Sequence, residues 1–315
     1  MTVNAPLSPA RSSHRADRIF FIALWSAVGV FAATMAGLLI QLVHGSWLSL
    51  GAFGFGFLTS SAWNPVTSTF GALPMIYGTV VSSAIAIIFA AIIGIAAATY
   101  LAEFAPRRIA GPLASLIELL AAVPSVVYGL WGLFVLVPLF RAYVDPFLQA
   151  HLGFLPIFSG PIYGVGLLTA GAILSIMILP TVSAISRDVI AAVARDQREA
   201  GMALGSTKWE TTWRIVLPAA RSGIFGACVL ALGRAIGETI ATTMVIGNKA
   251  TIAASLFAPG YTLSSVIANE FTEATTDLYT SSLIELGLLL FVLSFIVNGF
   301  ARLLVNGVFS RSEGR

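Results

Sequence analysis

Apolar residues fall into six long runs along the chain, and one stretch between them, Arg187 to Arg221, is strongly polar. The runs cover approximately Ile19–Val43, Leu73–Leu101, Leu113–Phe140, Ile162–Ile185, Ser222–Ile246 and Ser281–Val305. Each reaches the roughly 20 mainly apolar residues a helix needs to cross hydrocarbon while satisfying its own backbone. None alternates polar and apolar positions as a barrel wall must. The pattern predicts an all-α integral membrane protein with six transmembrane helices. Composition agrees: with 57% hydrophobic and 10% charged residues and a mean hydropathy of +0.92, the chain has more apolar surface than a soluble core can enclose.

Basic residues give the orientation. Arg11, Arg15 and Arg18 precede the first run, Arg107 and Arg108 follow the second, and Arg187, Arg195, Arg198, Lys208, Arg214 and Arg221 lie in the polar loop. Arg302, Arg311 and Arg315 mark the C-terminal end, whereas the opposite side carries only Arg141 and Lys249. By the positive-inside rule both termini and the polar loop face the cytoplasm. The net charge of +3 therefore reports topology and no nucleic-acid partner. The first run is long and lacks a small-residue cleavage site, so it reads as a retained helix rather than a signal peptide. Residues 1–18 are expected to form a disordered cytoplasmic tail, 19–308 the membrane domain including the loop 186–221, and 309–315 a second cytoplasmic tail. Cys228 sits inside the fifth run as the sole cysteine, which excludes an intrachain disulfide.

Within the loop, Asp196 with Glu199 and Thr207 with Glu210 have capping-box spacing. Gly205 stands between them, where a helix end favours a residue free to adopt left-handed φ. Pro218 is expected to stop the second helix. The prediction is two short surface helices joined at Gly205, with Ala200, Ala203, Leu204, Trp209 and Trp213 on one apolar face. Such a face suits a groove on a partner protein or the lipid headgroup layer.

The fifth run contains GRAIGETIATT. Counted from Ser222, Arg234 lies about 18 Å into the helix and Glu238 about 6 Å further. A central charge costs at least about 2.5 to 3.5 kcal/mol, so the pair must face protein or a water path. On a continuous helix the two side chains meet at i and i+4. They read either as a structural ion pair or as an anion site, in which Arg234 offers planar donors and Glu238 prevents overly tight retention. Thr239 and Thr242 add hydroxyls at the same depth, and Thr243 reads as bonding its own helix. In the third run, Pro124 is expected to kink the helix and free carbonyls beside Ser125 and Tyr128, for packing or for a path. Glu118, nearer the cytoplasm, reads as a path or partner residue or as a snorkelling side chain.

Neither Lys208 nor Lys249 follows the glycine spacing of a phosphate loop, so no nucleotide or other cofactor is expected on this chain. His14, His44 and His151 fall outside the runs, and no catalytic or metal constellation stands out.

The order Glu199, Ala200, four positions, Gly205, nine positions, Ile215, Val216, Leu217, Pro218 resembles the coupling loop of ABC-transporter permeases, written E-A-A, three residues, G, nine residues, I-x-L-P. Gly201 departs from it, standing where the family has its second alanine; glycine keeps a close approach but loosens the helix by up to about 1 kcal/mol. With ELLAAVPSVVYGLWGLFVL, LGRAIGETIA and IELGLLLFVLSFIVN, the chain resembles the PstC-type permease subunits of bacterial phosphate ABC importers from about Phe20 onward. That resemblance implies a type I ABC permease fold with cytoplasmic coupling helices, in the bacterial cytoplasmic membrane. It implies a PstA-type second permease, two copies of a cytoplasmic ATPase that uses ATP and Mg, an external phosphate-binding protein, and phosphate as cargo. Glu199, Ala200, Gly201, Gly205, Ile215, Leu217 and Pro218 would then couple to the ATPase; Arg234 and Glu238 match residues associated with phosphate passage. A permease for sulfate or molybdate, or a secondary ion-coupled anion transporter, are the alternatives.

Overall fold

The computed structural model describes residues 14–304. The fold is carried by α1 (His14–Gly45), α2 (Trp47–Phe53), α3 (Leu73–Thr99), α4 (Arg107–Ala121), α5 (Ser125–Trp131), α6 (Leu167–Ala191), α7 (Arg195–Ala203), α8 (Lys208–Thr211), α9 (Leu217–Ile236), α10 (Ile240–Val245), α11 (Leu263–Glu270) and α12 (Asp277–Leu304). Among the described residues the only β pairing is one isolated bridge, Asn64 with Thr69. Among the described residues six stretches have the length and apolarity to cross a membrane: Asp17–Gly45, Leu73–Phe104, Ser125–Leu152, Leu167–Ala191, Lys208–Ile236 and Asp277–Phe300. Helix α1 begins at His14, inside the tail expected to be disordered. The rest of that tail, residues 1–13, and the C-terminal tail 309–315 lie outside the described residues.

Three spans differ from the expectation. The third does not run from Leu113 through a kink at Pro124. Its first part is a separate amphipathic helix, α4, and the span starts at Ser125, with Pro124 extended at φ −60°, ψ 141° as its N-cap. Proline supplies no N–H and disfavours helical backbone at the residue before it, so a full break replaces the kink. The fourth span is displaced, starting at Leu167 and running to Ala191. The fifth starts earlier, and its α-helix ends at Ile236 before restarting as α10 at Ile240.

Wide π turns recur at prolines. The residue before each of Pro106, Pro138, Pro146 and Pro218 donates its N–H five positions back: Ala105 to Tyr100, Val137 to Gly132, Asp145 to Phe140 and Leu217 to Thr212. A proline ring in an α-helix clashes with the carbonyl four residues earlier, and widening the preceding turn moves that carbonyl aside. For this reason Pro218 does not stop the loop's second helix. It rides in the first turn of α9, and Lys208–Ile236 runs on as one span.

Close helix approach builds the core. A Cβ on Gly171 would sit 2.5 Å from Ile85, and one on Gly94 would sit 3.0 Å from Val182, so α3 and α6 pack through small residues. Around that seam lie Ala86, Ala90, Ile173, Met177 and Ile178, all buried. At the end of the bundle that carries the polar loop, Ala98, Ile190, Val216 and Ala220 bring the second, fourth and fifth spans together. At the far end Phe57, Phe70, Met75, Tyr261 and Tyr279 form a second cluster. There the Glu270 carboxylate accepts hydrogen bonds from Trp63 Nε1 at 2.8 Å and Tyr279 OH at 2.6 Å. Helix α1 stays exposed along most of its length and packs on α12 near Gly45, where a Cβ would meet Ile284 at 3.0 Å.

Candidate functional site

The polar loop forms a compact unit. Helix α7 ends at Ala203, Gly205 takes φ +90°, and the Gly205 and Ser206 N–H groups return to the carbonyls of Met202 (3.0 Å) and Gly201 (3.2 Å). This is a Schellman closure, which satisfies carbonyls that the helix leaves unpaired. The capping box at Thr207 and Glu210 is present: Thr207 Oγ1 accepts from the Glu210 N–H, and the Glu210 carboxylate accepts from the Thr207 N–H. The other expected box is absent. Helix α7 starts at Arg195 after an extended Ala194 with no side-chain cap, which leaves Asp196 in the first turn and Glu199 paired with Arg195 at 3.5 Å.

Gly201, the departure from the family pattern, is buried, and a Cβ there would lie 2.6 Å from Ile215 Cδ1 and 3.2 Å from Thr211. The glycine therefore lets the motif's own Ile215 pack directly onto α7. Glu199, Ala200 and Pro218 are exposed, Leu217 is half-buried, and Leu204 is 88% exposed at the tip. On the apolar face expected of this unit, Trp209 and Trp213 stack at 6.1 Å, with Trp209 against Phe104 of the second span and Lys208 Nζ 5.3 Å above the Phe104 ring; Ala200, Ala203, Leu204 and both tryptophans are exposed.

Two residues that the sequence did not single out hold this unit to the bundle. Arg198 of α7 pairs with Glu103 at 2.9 Å and donates to the carbonyls of Ile190 and Val193. A carboxylate two residues past the end of the second apolar run was the available signal. Glu118, read as a path, partner or snorkelling residue, is paired with Arg187 at 3.1 Å.

The second part of the site lies where two broken spans meet. Helices α5 and α10 touch so closely that a Cβ on Gly129 would sit 2.5 Å from Met244 Sδ and 3.1 Å from Ala241 Cα. Each break is braced by side-chain hydrogen bonds. Tyr128 OH spans the first, donating to the Leu120 carbonyl at 2.7 Å. In the second, the Glu238 carbonyl accepts from Ser264 Oγ at 2.7 Å, and the Glu238 carboxylate accepts the Ala241 N–H at 3.3 Å as a cap for α10.

Arg234 and Glu238 do not pair, because the helix that would align them ends between them; neither forms an ion pair among the described residues. Arg234, in the last turn of α9, is exposed on the surface of the chain and within electrostatic reach of the Tyr128 phenol. Ser125 is half-buried in the first turn of α5. Thr239 Oγ1 donates to Gly237 O at 3.3 Å, and Thr243 Oγ1 to Thr239 O at 2.7 Å. Thr242 is fully buried with an unpartnered hydroxyl. The structure thus brings Tyr128, Arg234, Glu238, Thr239 and Thr242 to one pair of breaks, well away from the loop unit.

The model of the family described as binding-protein-dependent transport system inner membrane component matches residues 90–310. The chain belongs to that family. The match takes in the loop unit and both breaks and leaves α1 and α2 outside it. Among curated relatives of this family member, the phosphate transport system permease protein PstC of Mesorhizobium japonicum is 48% identical over 300 residues, covering 94% of this chain and 92% of the relative. The protein of the same name from Xylella fastidiosa (strain Temecula1) is 44% identical over 304 residues, covering 95% and 93%. A solved bacterial ABC transporter involved in import of the acidic polysaccharide alginate shares the fold, with a TM-score of 0.58 at 16% identity over 91% of this chain and 96% of that one. The fold is that of the type I importer permeases, in a multi-pass membrane protein.

Proposed function

We propose that this chain is a permease subunit of an ATP-driven, binding-protein-dependent importer of inorganic phosphate. The observation that carries the reading is Arg234, a guanidinium exposed beside two broken spans inside a largely apolar body. Lipid does not solvate such a group, so a water-filled path and a second subunit must cover it. A related PstA-type permease fits that place. The names of the curated relatives support phosphate as cargo, and planar guanidinium donors suit a tetrahedral oxyanion.

Within this reading the loop end faces the cytoplasm, as do both termini, in the bacterial cytoplasmic membrane. The surface of α7 with Glu199 and Ala200 receives a cytoplasmic ATPase, one of two copies, which binds and hydrolyses ATP with Mg; this chain has no ATPase site and binds no cofactor. Gly201, Gly205, Ile215, Leu217 and Pro218 shape the unit that passes closure of the ATPase pair to the spans. An external phosphate-binding protein delivers cargo at the far end. Closure opens the path outward, phosphate passes to Arg234 with Tyr128, Ser125, Thr239 and Thr242 nearby, and hydrolysis returns the path inward. Glu238 holds the break by capping α10 and limits retention of the anion by its own charge.

The test is ATP-dependent phosphate uptake into vesicles holding the assembled complex, with sulfate and molybdate as competitors. Arg234→Gln is expected to lower uptake by about 10- to 100-fold, as loss of a charged hydrogen-bond donor predicts, with assembly intact. Glu199→Lys is expected to release the ATPase. Uptake that Arg234→Gln leaves unchanged removes the site, and block by sulfate removes the substrate.

A further inference from the structure

Arg198 attaches the coupling unit to two spans at once. Its Nη2 and Nε donate to one Glu103 oxygen at 2.9 and 3.1 Å, and its guanidinium also donates to the carbonyls of Val193 and, at 2.7 Å, Ile190. Glu103 lies in the π turn Tyr100–Phe104 that ends the second span. Ile190 lies in the last turn of α6 and Val193 two residues beyond its end, where the helix dipole favours a cation. The side chains are 19% and 8% exposed, so bulk salt screens the pair weakly.

Neither residue belongs to the Glu199–Pro218 pattern, and neither lies at the broken spans. The route along the chain from α7 to the fifth span passes through the left-handed turn at Gly205, where a Cβ would find no neighbouring atom within 4 Å. The second and fourth spans, in contrast, are seated on each other through Gly94 and Gly171. A force on α7 therefore reaches that paired body through the Arg198 fork, whose planar donors fix direction as a lysine ammonium does not.

We propose that Arg198 and Glu103 are positioning residues that transmit movement of α7 to the second and fourth spans, so that the coupling unit drives this pair together with the fifth span. The proposal rests on the reading of α7 as the ATPase-docking helix. In the assembled complex in phosphate-loaded and empty vesicles, three quantities test it: retention of the ATPase, ATP hydrolysed and phosphate imported. Glu103→Gln and Arg198→Lys are expected to retain the ATPase while raising the ATP hydrolysed per phosphate, by about tenfold for Glu103→Gln, a typical size for a coupling term. Arg198→Lys, which keeps the charge, is expected to be the milder of the two. An unchanged ratio in both variants overturns the proposal, as does a fall in uptake that only follows loss of the ATPase, which assigns the pair to the fold. Glu199→Lys is measured alongside. If it too leaves the ATPase bound and uptake normal, the docking reading itself has failed, and that failure is distinct from a failure of the Arg198 link.

Discussion

The loop unit and the pair of broken spans are built in opposite ways. In the loop unit nearly every decisive contact is local: Gly205 and Ser206 close onto Met202 and Gly201, Thr207 and Glu210 cap each other, and Gly201 receives Ile215 from the next helix. At the broken spans the decisive contacts join distant positions. Gly129 meets Ala241 and Met244, and Ser264 braces the Glu238 carbonyl. A segment organised by its own neighbours can be recognised from a motif. A site assembled by packing shows in sequence only the residues that are out of place in hydrocarbon.

The contrast is most sharply tested at Gly129. With Met244 Sδ and Ala241 Cα in the way of a side chain, Gly129→Val is expected to separate α5 from α10 and lower uptake by about 10- to 100-fold, in line with overpacking of about 1–3 kcal/mol. ATPase copurification should stay normal, since the loop unit is untouched. Normal uptake would mean that the two breaks do not act as one site.

A smaller effect is expected at Gly205, whose φ of +90° strains any L side chain by about 1–3 kcal/mol. Gly205→Glu should reduce ATPase retention in pull-down while leaving the complex in the membrane. Full retention would separate the turn from docking. The smallest change is expected for Thr207→Ala, which removes one cap worth about 1 kcal/mol. Thermal unfolding of the complex should shift by only a few degrees, with uptake nearly preserved. Damage as large as that from Gly129→Val would erase the distinction between a locally closed unit and a packed site.

Pro124 and Pro218 both looked like interruptions, yet one ends a helix outright and the other is absorbed by a π turn. At Pro218 the preceding turn, Thr212–Val216, is widened, with Val216 buried in one cluster with Ala220 and Ile190, whereas at Pro124 α4 has already ended at Ala121. The i, i+4 spacing of Arg234 and Glu238 predicted a pair only on an unbroken helix, and the break at Gly237 sends the Glu238 carboxylate to cap α10 instead. In the sequence Arg198 is one of several basic residues in the loop; only burial against Glu103 distinguishes it.

The sequence by itself determined the number of spans, the polar loop with its glycine turn and second capping box, and the presence of a charge that hydrocarbon does not tolerate. Those features follow from length, apolarity and contacts within a few residues, which the order of the chain encodes directly. Tertiary structure decided where the third and fifth spans break, which carbonyls are free, that Gly201 admits Ile215, and that Arg198 fastens α7 to two other helices. These depend on which helices lie side by side, and small residues such as Gly129 and Gly171 acquire their meaning only from the neighbour that fills the space a side chain would have taken.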